Sequence, residues 1–201
     1  MAAPDSKSIA DLNGKWVMNK TLSSSTDPAL ALQGVGWVTR KVVGLATITL
    51  HVKQFAAEPS PVGPNADQPA PTSDPVTHVD IEQTGTGGMK GTTERRCLDD
   101  ALREHTDYLF GHVRGRTRWV DLAEVEDEFL KAGWNEEGET AGGQDGKLHM
   151  LSWVESLDRG WVATQVWGFK KVDGERMYAR NIVITKGKER VELNLYYDYV
   201  A

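Results

Sequence analysis

From Thr47 to Phe55 the chain reads TITLHVKQF, β-branched and apolar positions alternating with polar ones, and this period of two recurs almost to the C-terminus. VTHVDIEQTGT, MKGTTERRCL, EHTDYLFGHV, RTRWVDL, KLHMLSWVES, WVATQVWGFKKV, ERMYARNIVIT and ERVELNLYYDYV follow, separated by GG, RG, DRG, DG and KGK. Those separators are the turn residues that tight hairpins need. GKWVMNKTL, residues 14–22, adds a strand entered through a glycine. The pattern predicts ten strands in one antiparallel meander.

Between the first two strands the period changes to three and four. Asp27 followed by Pro28 is a helix start, with proline at the first helical position. Gly34 and Gly36 break the axis, and a second set of turns carries Val35 to Val43 before Gly44 stops it. Val35, Val38, Val42 and Leu45 share one face, with Thr39, Arg40 and Lys41 opposite. Two short helices joined by a glycine hinge are expected.

Two segments fit neither period. Residues 57–75, AEPSPVGPNADQPAPTSDP, hold six of the eight prolines and read as a flexible surface loop. Residues 121–147 open with DLAEVEDEFLKAGW, where Leu122, Val125, Phe129 and Ala132 predict a short helix, and continue as an acidic, glycine-rich loop. Ten strands without βαβ alternation predict a mainly β fold, a closed up-and-down barrel over residues 1–201 as one domain, because closure removes exposed edges. An open sandwich satisfies the same strand count and is the alternative.

Charge and composition narrow the classes. With 29 acidic against 23 basic residues the net charge is −6, which opposes nucleic-acid binding, since phosphate contacts need an excess of Lys and Arg. Cys97 is the one cysteine and cannot form an internal disulfide. The N-terminal stretch has no basic start followed by an apolar run, and nowhere does an apolar run approach the roughly 20 residues of a membrane span, so a cytoplasmic protein is expected. Seven tryptophans against four phenylalanines suit either a core or a cavity wall.

The segment Gly14-Lys15-Trp16, the helix pair carrying GVGWVTRKVVGLA (34–46), DIEQTGTGGMKGTTERRCLD, KKVDGERMYARNIV and the closing YYDYV together resemble the intracellular fatty-acid-binding and retinoid-binding proteins, of the calycin superfamily. The resemblance covers most of the chain, with 57–75 and 121–147 as insertions. It implies a ten-stranded, lipocalin-like barrel whose interior takes a small hydrophobic ligand, such as a fatty acid, beneath a helical cap, with no cofactor and no metal. Val35, Trp37 and Val38 of the second helix then close the barrel mouth. Many members grip a ligand carboxylate with an Arg-x-Tyr pair on the last strand; here the corresponding positions are Leu195 and Tyr197, and the arginine is absent.

Other side chains are candidates for orienting a ligand. Arg114, Arg116 and Arg118 share one face of a strand if it runs unbroken through Gly115, and that face is either a cationic strip toward the ligand or solvent surface. Tyr178 and Arg180 alternate with Ile182 and Ile184 beside the last strand, so Arg180 points either into the barrel or out of it. Gln165, Trp167 and Phe169 alternate on one strand and Leu151, Trp153 and Glu155 on its neighbour, as pocket floor or packed core. TGTGGMKGTT (84–93) lacks the glycine–lysine–hydroxyl succession of a phosphate loop and the glycine spacing of a dinucleotide fold, so it reads as a hairpin. The five histidines lack zinc-site spacings.

Three functions remain open. The first is binding or transport of a small hydrophobic ligand, with Arg40 and Lys41 touching an anionic membrane during loading. The second is a cofactor-independent isomerase or cyclase that holds a reactive hydrophobic substrate in one geometry, in which a Glu155–His149 pair would be the titratable element. A barrel filled with side chains, acting as an interaction domain, is a third.

Overall fold

The computed structural model describes residues 2–62, 74–86, 89–139 and 141–200, and the alternation emerges in it as ten strands. They are β1 (Gly14–Met18), β2 (Ile48–Ala57), β3 (Val76–Gly85), β4 (Met89–Cys97), β5 (Arg103–Asp107), β6 (Gly111–Val120), β7 (His149–Ser156), β8 (Val162–Val172), β9 (Glu175–Lys186) and β10 (Glu189–Tyr199). The single sheet runs β4-β3-β2-β1-β10-β9-β8-β7-β6-β5, every pairing antiparallel, so β1 joins β10 and the meander curls back on itself. β4 and β5 end the ladder and leave the barrel nearly closed.

Register follows from the turns. Asp173 and Gly174, at φ 50° and 85°, make the two-residue reversal between β8 and β9, where Val172 faces Glu175. Residues 84–93 form the expected hairpin, Gly85 opposite Met89, with Gly87 and Gly88 outside the described residues. Of the proline-rich stretch 57–75, residues 63–73 also lie outside them.

One boundary moves. EHTDYLFGHV is not a single strand: the Asp107 carboxylate accepts the backbone N–H groups of Leu109 and Phe110, both at 2.7 Å, and turns the chain. β6 then runs unbroken from Gly111 through Gly115 to Val120.

The two short helices are α1 (Asp27–Leu32) and α2 (Trp37–Leu45). Gly34, at φ 78°, takes the left-handed turn between them, and Gly36 caps α2. Gly44 does not stop α2, which continues to Leu45.

The helix expected in 121–147 is absent. The segment forms a 3-10 turn at Leu122–Glu124, closed by a reciprocal Asp121–Glu124 capping box, then consecutive turns and a second 3-10 turn at Gln144–Gly146. Its apolar residues are used nonetheless. Val125 and Leu130 pack on Val120, Val166 and Val183 at the outer face of the barrel, joined by Leu122, Phe129, Trp134 and Leu151. Asn181, on the same outer face, donates from Nδ2 to the carbonyls of Phe129, Leu130 and Ala132 at 3.0–3.1 Å and ties the segment down. A second, smaller core therefore lies outside the barrel wall.

Inside, one end is filled. Trp16, Phe169, Tyr178 and Tyr199 pack with ring centroids 4.9–6.4 Å apart, and the Trp16 indole donates to Leu12 O at 2.8 Å. The N-terminal residues Ala3, Ile9 and Leu12 are buried in the same core. This aromatic floor leaves the rest of the barrel to a cavity.

Candidate functional site

A cavity of about 1140 Å³ lies between the aromatic floor and the helices. Leu50, Val113, Ile182, Ile184, Leu193 and Leu195 give its wall an apolar side, and Gln83, Glu94, Arg96, Gln165 and Arg180 a polar one. Leu30 of α1 and Val42 and Val43 of α2 reach it from above.

Register decides which strand residues face in. Trp167 pairs with Arg180 on β9 and Met150 on β7, and Gln165 pairs with Ile182 and Ser152. Gln165, Arg180, Leu195 and Tyr197 line the cavity. Trp167, Phe169 and Tyr178 are buried in the core beneath them. Trp153 belongs to the opposite alternation, with Leu151 and Glu155, and stands on the outer face beside Arg116, 5.8 Å from ring centroid to guanidinium. Its expected place in the pocket is corrected: Ser152 and Val154 are the inward residues of β7. The neighbouring Glu155 pairs with Arg114, and His149 with Glu136 at 3.1 Å, so the Glu155–His149 pair does not exist.

The arginine strip also faces out, as its solvent-surface alternative had it. Arg114 pairs with Glu155, Arg116 with Asp100 at 3.6 Å and Arg118 with Glu124 at 2.7 Å.

α2 is turned differently from its apolar stripe. Val35 is buried in the hinge and outside the cavity wall, whereas Trp37, Val38 and Leu45 are 67%, 57% and 83% exposed. Only Val42 of the predicted face reaches the cavity, together with Thr39 and Val43. The orientation is set by Arg40, whose Nε donates to Asp27 Oδ1 at 3.0 Å and whose Nη1 donates to Val35 O at 3.0 Å, clamping α2 onto α1.

The chemistry is concentrated at Arg180. Its side chain is 4% exposed, and the guanidinium lies over the Trp167 ring at 3.9 Å. Nε donates to Tyr178 Oη at 2.9 Å and Nη1 stands 3.9 Å from Glu94 Oε2, while Nη2 is buried with no acceptor among the described residues. Glu94, inward on β4, is already engaged: Arg96 Nη2 donates to Oε2 at 2.9 Å and Gln83 Nε2 to Oε1 at 2.6 Å. Burial opposes the Glu94 charge, yet Arg96 and then Arg180 outweigh it and hold its carboxyl below the usual range. Burial likewise opposes the Arg180 charge, and the Glu94 carboxylate and the Tyr178 hydroxyl that accepts from Nε offset it, so the guanidinium stays protonated. The Tyr178 and Tyr197 phenols are pushed up by burial and stay neutral. Arg180 is thus a permanent cation in the cavity wall, with the N–H groups of Nη2 unused among the described residues.

Glu94, Arg96 and Gln83 escape the sequence reading. Glu94 and Arg96 alternate within TTERRCL, a signal for a shared face, but charged residues on a strand ordinarily mark the solvent side. Cys97 shows no nucleophile chemistry: burial raises its thiol, and the Nε2 of His78, 3.9 Å away, already hydrogen-bonds Glu58 O at 2.9 Å.

No family model matches the chain. Over its whole length it is similar to the "Probable pericyclase scpY" of Mollisia scopiformis, 32% identical over 202 aligned positions and covering 95% of that protein. It is 29% identical to the "Pericyclase pydY" of Acremonium sp, covering 100% of this chain and 98% of that one. Among solved structures it resembles the REP1-NXSQ fatty acid transporter (TM-score 0.51, 16% identity, 96% and 98% of the two chains) and fatty-acid-binding protein 1 of Echinococcus granulosus (TM-score 0.52, 17% identity, 94% and 98%). These likenesses establish the fold of the fatty-acid-binding proteins.

Proposed function

The chain belongs to the same family as the probable pericyclase scpY, and from that premise we propose that it is a cofactor-independent pericyclase: it folds one unsaturated, hydrophobic substrate inside the barrel and accelerates a concerted ring closure. The observation that carries this is the buried Arg180, stacked on Trp167 in the cavity wall, with Nη2 unassigned among the described residues.

A pericyclic closure moves electrons around a ring of atoms and needs no net proton transfer, so the protein has two tasks. One is conformational. A flexible polyene must be held with its reacting ends together, and such restriction lowers barriers by up to about 7–11 kcal/mol where the geometry is ideal. The apolar side of the wall and the aromatic floor supply that shape. The other is electronic. A donor on a carbonyl conjugated to the reacting alkene draws electron density toward the oxygen and stabilises the charge that develops there; a single such donor in a dry site contributes roughly 10²–10³ in rate. Arg180 is that donor, and Glu94 and Trp167 hold it in place. Gln165, Leu195 and Tyr197 contact the ligand beside it.

Untargeted chemistry tests this reading. Purified protein is added to an extract from a producing strain that lacks the gene, and mass spectrometry with ultraviolet detection follows every component. A pericyclase converts one compound to an isobaric product with less conjugation. Absence of any mass-conserving conversion overturns the proposal.

The second reading, a carrier for a hydrophobic molecule in the cytoplasm, is favoured by one surface. Trp37, Val38, Lys41 and Leu45 form an exposed apolar and basic patch on α2, suited to contact with an anionic membrane, whereas Arg40 is engaged by Asp27. A lipid that co-purifies and is released unchanged supports the carrier. Transfer to anionic vesicles that is unaffected by Lys41→Glu removes the membrane contact.

A further inference from the structure

We propose that Gln165 is a second hydrogen-bond donor to the bound molecule, and that Trp167 is the positioning residue that aims both Gln165 and Arg180, so the cavity selects a head group carrying two acceptor oxygens. The inference rests on the cavity reading above. Trp167 is fully buried, and its one polar atom, Nε1, can only donate. It donates to Gln165 Oε1 at 2.9 Å, which fixes the amide one way round. The carbonyl oxygen is used up against the wall. The amide nitrogen, with two N–H groups and no protein acceptor among the described residues, is left to the cavity that Gln165 lines.

The face of the same indole carries the Arg180 guanidinium at 3.9 Å. One side chain therefore orients both groups, its edge holding Gln165 and its face holding Arg180. The two sit on adjacent strands, Arg180 opposite Trp167 and Gln165 opposite Ile182, a diagonal relation of roughly 7–8 Å that two long side chains readily bridge. Opposite Gln165 on the other side, Ser152 Oγ is buried without a partner among the described residues, a further unused polar atom in this layer of the barrel. A hydrocarbon would leave these donors bare, and a ligand with one carbonyl would satisfy one of them. Two carbonyl oxygens close together satisfy both.

The test compares methyl 3-oxooctadecanoate, with two carbonyl groups, and methyl octadecanoate, with one, by calorimetric titration. The wild-type protein is expected to bind the keto ester about 5-fold tighter, the effect of one added neutral hydrogen bond. Gln165→Met, close in shape and without a donor, brings the ratio to about one, and its urea denaturation curve, beside that of the wild-type protein, reports an intact fold. Trp167→Phe removes the indole N–H and lowers the ratio although Gln165 is untouched, and the double variant is no worse than Gln165→Met alone. Purely structural roles would make the two losses add. Should Trp167→Phe not fold, Gln165→Met carries the test. Equal binding of the two esters by the wild-type protein, a preference that survives in Gln165→Met, or additive losses each overturn this inference alone. Binding of neither ester by the wild-type protein overturns the cavity reading as well.

Discussion

Replacing Arg180 with methionine should cost activity far more than stability. The guanidinium stacks on Trp167, donates to Tyr178 and stands 3.9 Å from a carboxylate that Arg96 holds more tightly, at 2.9 Å. Removing it forfeits a stacking contact and a hydrogen bond, about 1–3 kcal/mol together, but also ends the desolvation of a cation, which costs several kcal/mol per buried ion. The net change in unfolding free energy is expected within about 1–2 kcal/mol of zero. Glu94→Gln is the contrast. It leaves Arg96 and Arg180 facing each other without the anion between them, and breaking a buried pair in this way costs about 3–5 kcal/mol. In catalysis the order reverses, with Arg180→Met losing roughly 10²-fold in kcat, the usual effect of one preorganised donor. The double variant Arg180→Met/Glu94→Gln should regain part of the stability lost in Glu94→Gln. Urea denaturation of the three variants, beside turnover measured as formation of the isobaric product, checks each point. An Arg180→Met protein with wild-type turnover, or one less stable than Glu94→Gln, refutes the reasoning.

Three further outcomes follow from the outer core. Lys170 is buried over the Trp134 ring and donates to Asn194 Oδ1 at 3.1 Å, and burial lowers its pKa from 10.5 to about 8. Below pH 8 folded and unfolded chains both carry the proton and the penalty is complete; between about pH 8 and 10.5 only the unfolded chain carries it, so stability rises by up to about 3 kcal/mol. Lys170→Met should be the more stable protein at pH 7, and its advantage should vanish by pH 10.5 in denaturation curves. His149, 1% exposed and packed against Trp134, has its pKa lowered by burial; as the pH falls below 6.5 the unfolded chain takes up a proton that the folded one refuses, so stability drops, and His149→Phe should flatten that acid limb. Asn181→Leu strands the three carbonyls of Phe129, Leu130 and Ala132 and should cost about 2–3 kcal/mol, with limited proteolysis cutting first within residues 121–139.

The chain by itself determined the elements that depend on neighbours in sequence: ten alternating runs, glycine-bearing reversals such as Asp173–Gly174, and a helix pair hinged at Gly34. Each follows from local backbone preference, and the antiparallel order follows because short reversals allow nothing else. The sense of the alternation is another matter. Period two states that Ser152 and Trp153 face opposite ways, but not which of them faces in, and the usual guide, apolar inward, fails where both faces are covered. The outer face of β7–β9 carries Leu151, Val166 and Val183 because residues 121–147 fold over it, so Trp153 on that face reads like a pocket residue. The inner face in turn holds Glu94 and Arg96, which read like solvent residues, and Arg180, whose sense the alternation leaves open until the barrel brings β4 and β9 across from each other. Tertiary structure decided the site because a buried charge is tolerable only beside its partners, and those partners lie 86 positions apart, the separation of Glu94 and Arg180 in the sequence.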